Sequence, residues 1–107
     1  MRIAHRLPVD SAGYGDVSYL FQGRDIVIEF QYFSSGMDRI GRLRIEYFMD
    51  IFIESETQNG AKIPQASGVI FETEARKEGF RKFVVWFSNN DIVTFECMKL
   101  FCDNLEL

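Results

Sequence analysis

The stretch RLRIEYFMDIFIE, residues 42–54, decides the fold reading of this chain. Leu43, Ile45, Tyr47, Met49, Ile51 and Ile53 form one wholly apolar set. Arg44, Glu46, Phe48, Asp50, Phe52 and Glu54 form the other, which mixes carboxylates with two phenylalanines. A period of two is that of a β-strand, whose successive side chains point to opposite faces, whereas a helix repeats every 3.6 residues. The expectation is one long strand with an apolar core face and an acidic, aromatic outer face.

Upstream, VSYLFQ (17–22) and IVIEFQYF (26–33) flank Gly23-Arg24-Asp25, which reads as a three-residue hairpin loop. Ile26, Ile28, Phe30 and Tyr32 share a face, and SSGMDRIG (34–41) reads as a longer polar loop. A further short strand is expected within residues 2–7. Downstream, SETQNGAKIPQASG (55–68) carries the turn signal Asn59-Gly60 and Pro64, and reads as a surface loop. VIFETE (69–74) is a strand, and EARKEGF (74–80) makes either one or two helical turns or a charged hairpin tip. KFVVWFS (82–88) and DIVTFECM (91–98) bracket Asn89-Asn90, a two-residue hairpin connection. The tail KLFCDNLEL extends the last strand or forms a short helix.

Six or seven strands joined by short turns predict a mainly β domain spanning 1–107. It is an antiparallel meander forming a curled sheet, half-barrel or sandwich, with room for one short helix; α+β is the alternative.

A chain of 107 residues can bury a core without staples, and 47% hydrophobic residues, including eleven Phe, argue against disorder. The net charge of −4 disfavours nucleic acid and anionic membrane as partners. No apolar run has the length of a signal peptide or of a membrane span, so a cytoplasmic location is expected. Cys97 and Cys102, on one regular strand, would face opposite ways roughly 16 Å apart. They are therefore expected to be free thiols, as in a reducing compartment.

Catalytic raw material is thin. His5 is the only histidine, the cysteines lack metal-ligand spacing, and no phosphate-binding glycine loop or serine elbow occurs. Neighbouring carboxylates such as Glu46 with Asp50, or Glu72 with Glu74, fit a solvated sheet face better than an acid–base pair. No metal and no cofactor are expected, and no enzymatic activity. Arg39, Arg42 and Arg44 could gather at an anion, or simply pair across strands.

The acidic, aromatic face of residues 42–54 stands above this background, since aromatics are enriched at interface cores and complementary charge speeds encounter. Glu46, Phe48, Asp50, Phe52, Glu54 and Glu56 are the candidate partner-binding residues. The short acidic chain, SYLFQGRDIVIEFQ (18–31), GRLRIEYFMDIFIE (41–54) and the lack of a catalytic grouping together resemble the small immunity proteins of bacterial polymorphic and contact-dependent growth-inhibition toxin systems. The resemblance implies a stoichiometric inhibitor of a cognate toxin domain, commonly a basic nuclease. Two other readings compete with it. One is a small β-barrel or sandwich holding an apolar or anionic ligand among Phe21, Phe30, Phe71, Phe83, Trp86 and Phe87. The other is a structural homodimer joined through an exposed edge strand.

Overall fold

The computed structural model describes residues 2–8, 16–55, 68–87 and 91–107. Eight strands form one antiparallel sheet: β1 (Arg2–Arg6), β2 (Val17–Gln22), β3 (Asp25–Ser34), β4 (Met37–Ser55), β5 (Val69–Thr73), β6 (Arg81–Trp86), β7 (Asp91–Cys102) and β8 (Leu105–Glu106). Their order is β1-β5-β6-β7-β4-β3-β2, with β8 pairing the end of β7, and the sheet does not close into a barrel. The mainly β expectation holds, and the described residues contain no helix. Of the two forms expected for residues 74–80 the charged hairpin tip is the one present: bends and a turn join the antiparallel pair β5 and β6, with the Phe80 N–H donating to the Lys77 carbonyl at 3.2 Å.

Turn chemistry explains the hairpins. Gln22 pairs with Asp25, so β2 and β3 are joined by Gly23 and Arg24 alone, and Gly23 takes the left-handed φ of 63° that a primed turn requires at its first position. Ser34 pairs with Met37 around Ser35-Gly36, both at positive φ. The loop expected over 34–41 is therefore a two-residue turn, and residues 37–41 already belong to β4. Asp103-Asn104, also at positive φ, returns the tail as β8, so the tail is a strand and hairpin rather than a helix. The Asn89-Asn90 connection lies outside the described residues, as do residues 56–67 of the expected surface loop.

The core fills the concave side of the curled sheet. Ile26, Ile28 and Phe30 of β3 are fully buried with Leu43 and Ile45 of β4, Phe83 and Val85 of β6, and Val93 and Phe95 of β7. The Phe30 and Phe87 rings lie 5.9 Å apart, although β4 and β7 separate β3 from β6 in the sheet. Only a sheet that curls over its own side chains brings them together. Tyr19 on β2 adds a polar tie across the same gap, donating its hydroxyl to Asp91 Oδ2 of β7 at 2.9 Å. Burial first, and then that carboxylate, hold the phenol protonated above its ordinary range.

The long strand β4 breaks its own alternation. Tyr47 has φ 53°, and the register with β7 slips by one residue between Phe48 and Asp50, which is a β-bulge. Met98 and Lys99 on β7 are both exposed between the core residues Cys97 and Leu100, so the two strands turn over at the same level. The apolar face read from sequence is corrected accordingly: Tyr47 and Met49 are 49% and 40% exposed, and Phe48 packs against the core. The same step carries both Cys97 and Cys102 into the core, not to opposite faces, and both are free thiols.

Candidate functional site

Strand β3 accompanies β4 only from Met37 to Ile45. Past that point the Tyr47 N–H donates to Asp25 Oδ1 at 3.2 Å and the Phe48 N–H to the Arg24 carbonyl at 3.1 Å. From there on, residues 49–55 have β7 on one side and, among the described residues, no strand on the other. An unpaired edge of this kind presents backbone donors and acceptors to a partner.

Residues directly opposite in an antiparallel sheet share a face, so the register fixes what the convex side displays. Ile3, Phe71, Val84, Thr94 and Phe52 are successive cross-strand neighbours over β1, β5, β6, β7 and β4. This mainly apolar row ends at Phe52, which is 59% exposed. Trp86, Ile92 and Glu54 form the row beside it, and Trp86 meets Phe71 edge-on at 5.4 Å. On its other flank runs a polar row, Thr73, Lys82, Glu96 and Asp50.

The polar row is partly roofed by the 74–80 connector. Arg76 donates from Nη2 to Asp50 Oδ2 and from Nε to Glu96 Oε1, each at 3.0 Å. Asp50, Phe52, Arg76, Lys82, Thr94 and Glu96 line an open cleft of about 250 Å³. Beyond the bulge a second cleft, about 280 Å³, is lined by Tyr47, Phe48, Met49, Phe80 and Met98. Lys77 sits 5.2 Å from the Phe80 ring there.

The residues singled out by sequence fall into three groups. Asp50, Phe52 and Glu54 are brought together on the convex face. Glu46 lies on the far side of the bulge, paired with Arg44 at 3.2 Å. Phe48 turns toward the core, its ring edge-on to Phe21 at 6.4 Å. Glu56 lies outside the described residues. Sequence alternation missed Tyr47, Met49, Met98, Arg76 and Glu96. The run Cys97-Met98-Lys99-Leu100, which abandons period two, was the one available signal.

Other chemistry is muted. Arg42 and Arg44 line a cleft of about 320 Å³ with Val27 and Phe101, but Glu29 and Glu46 already pair with them, each at 3.2 Å. Arg39 stands elsewhere, opposite Tyr32. Phe30, Phe83 and Phe87 close-pack in the core rather than line a chamber, leaving Phe21, Phe71 and Trp86 outside it. Burial pushes the Cys97 thiol up to about 12 and Cys102 up to about 11, which makes both poor nucleophiles. Among the described residues no three His, Cys, Asp or Glu side chains gather as metal ligands would, and no helix is long and apolar enough to cross a membrane. Comparison with protein-family models, curated proteins and solved structures finds no match.

Proposed function

We propose that this chain is a non-enzymatic binding protein that neutralises a basic protein partner through the convex face and free edge of β4. The observation that carries the reading is Phe52: a large apolar side chain held 59% exposed at the end of an apolar row, between the exposed carboxylates Asp50 and Glu54. A solvated sheet face would place polar side chains there. A binding face uses an aromatic anchor with charge around it. The resemblance to immunity proteins gives the partner a class, a cognate toxin of nuclease type, bound stoichiometrically in the cytoplasm. The net charge of −4 suits such a partner.

The test is capture by the tagged chain from a lysate of its native cells, at low and at high salt, alongside the variant E46K/D50K/E54K. The expected result is one stoichiometric basic protein, lost at high salt and lost by the variant, whose toxicity in cells is relieved by co-expressing this chain. A folded chain that captures nothing, or a variant that captures the same protein equally well, removes the reading.

A further inference from the structure

Glu96 sits in the middle of β7 on the convex face, between Lys82 of β6 and Asp50 of β4. It is only 1% exposed. One oxygen accepts a hydrogen bond from Arg76, whereas Oε2 is buried without a partner. Buried carboxylate oxygens are normally satisfied, and one without a protein partner marks stored strain, a catalytic role, or a place for a water, an ion or a ligand's donor group. Here the residue lines a cleft, its cross-strand neighbour is a second carboxylate, and an exposed phenylalanine forms part of the wall. Among the described residues, the one guanidinium between Asp50 and Glu96 is that of Arg76, a side chain 67% exposed and rooted in the 74–80 connector rather than a strand.

We infer that this cleft receives one arginine side chain of the protein partner. The inference rests on the protein-binding reading of the convex face and names what that face grips. The incoming guanidinium donates to Glu96 Oε2 and to Asp50, while its stem lies along Phe52. Arginine suits the site better than lysine: its planar fork engages two carboxylates at once, it is more weakly hydrated, and it stacks on an aromatic ring. Arg76 acts in the free chain as an internal stand-in that screens the two carboxylates from one another. With Arg76 in place Glu96 Oε2 is out of reach, so the partner's arginine displaces it.

The experiment titrates the full chain with N-acetyl-arginine amide and, separately, N-acetyl-lysine amide, following backbone amide shifts by NMR. It compares wild type with Arg76→Ala, Arg76→Ala/Glu96→Gln and Arg76→Ala/Asp50→Asn. Thermal melts report that each is folded, and the Asp50 variant alters only an exposed side chain. Removing the stand-in is expected to tighten arginine amide binding at least tenfold over wild type. Shifts should centre on Asp50, Phe52, Thr94 and Glu96, lysine amide should bind more weakly, and either second substitution should abolish the gain. Equal binding by wild type and Arg76→Ala overturns the inference, as does a lack of shifts at Thr94 and Glu96. So does Lys82 closing onto Glu96 in place of the ligand. The two readings fail separately: a partner retained equally by Glu96→Gln and wild type, but lost by E46K/D50K/E54K, removes only the arginine pocket, whereas a partner retained equally by E46K/D50K/E54K removes the binding face itself.

Discussion

Arg81 holds Glu72 with two parallel hydrogen bonds, Nε to Oε2 at 2.8 Å and Nη2 to Oε1 at 2.9 Å. The pair joins β6 to β5 at the rim of the core, where the Arg81 guanidinium also lies 4.9 Å from the Phe83 ring and donates to the Leu107 carbonyl. Arg2 of β1 reaches the same Glu72 carboxylate from the other side. Three strands thus meet at one carboxylate that is mostly out of water, and Arg81 ties the last residue of the chain to the same cluster.

This arrangement predicts that Glu72 contributes to the acid limb of stability. The hydrogen bond from Arg81, reinforced by its charge and by Arg2, holds the Glu72 carboxyl below its ordinary value, against the opposing pull of burial. A carboxylate with a depressed folded pKa contributes stability that is fully present above the unfolded value. That contribution is lost as pH falls through the folded value. Glu72→Gln should therefore lower stability by about 1–3 kcal/mol near neutrality, from lost charge-assisted hydrogen bonds. Its melting curve should meet that of wild type at low pH. Thermal melts of both proteins between about pH 7 and pH 2 test this; parallel curves at constant separation would assign the acid limb to other groups.

A second prediction concerns Gly41 and Phe30, direct cross-strand partners on β4 and β3. A Cβ at Gly41 would meet Phe30 Cζ at 2.2 Å and Cε2 at 2.4 Å. The phenylalanine ring lies across the glycine, covering a backbone that no side chain could share. Since Phe30 is fully buried in the core, the ring has little space to retreat. Gly41→Ala should destabilise by about 1–3 kcal/mol through overpacking. Combined with Phe30→Leu it should cost less than the two single changes added together, because the clash is then gone. Urea denaturation of the three variants measures the coupling, and simple additivity would show that the ring moves freely.

What the sequence could and could not convey divides along physical lines. Strands such as 26–33 and 91–98 announced themselves because one face is buried and the other is not, which writes a period of two into the residues. The start of β4 hid its strand character because Met37 and Ile40 are exposed there among polar neighbours. With both sides solvated, nothing forces an alternation. The break in β4 was invisible for another reason. Its left-handed residue is Tyr47, not the glycine or asparagine that usually signals such a backbone, and the bulge becomes apparent only when the register with β7 is known. Asp50, Phe52 and Glu54 were legible as a face because they lie beyond that break in regular strand. Glu96 was not, since its significance comes from Arg76 in a turn twenty residues earlier.

The same break separates two phenylalanines that the sequence placed together, and this supplies the sharpest mutational contrast. Phe48 packs against the core and against Phe21, so Phe48→Ala should cost about 2–4 kcal/mol of stability, somewhat below a fully buried truncation. Phe52 is the more exposed of the two, and Phe52→Ala should leave the melting temperature within about two degrees of wild type. Partner binding reverses the order. Loss of the Phe52 anchor should weaken affinity by about tenfold or more, mainly through faster dissociation. Asp50→Lys and Glu54→Lys should chiefly slow association and reduce its dependence on salt, as expected of charges that steer encounter. Surface plasmon resonance with the captured partner, paired with melts of each variant, reads both quantities. If Phe52→Ala bound as wild type while Phe48→Ala, still folded, did not, contact would run through the bulge cleft of Tyr47, Met49 and Met98 instead.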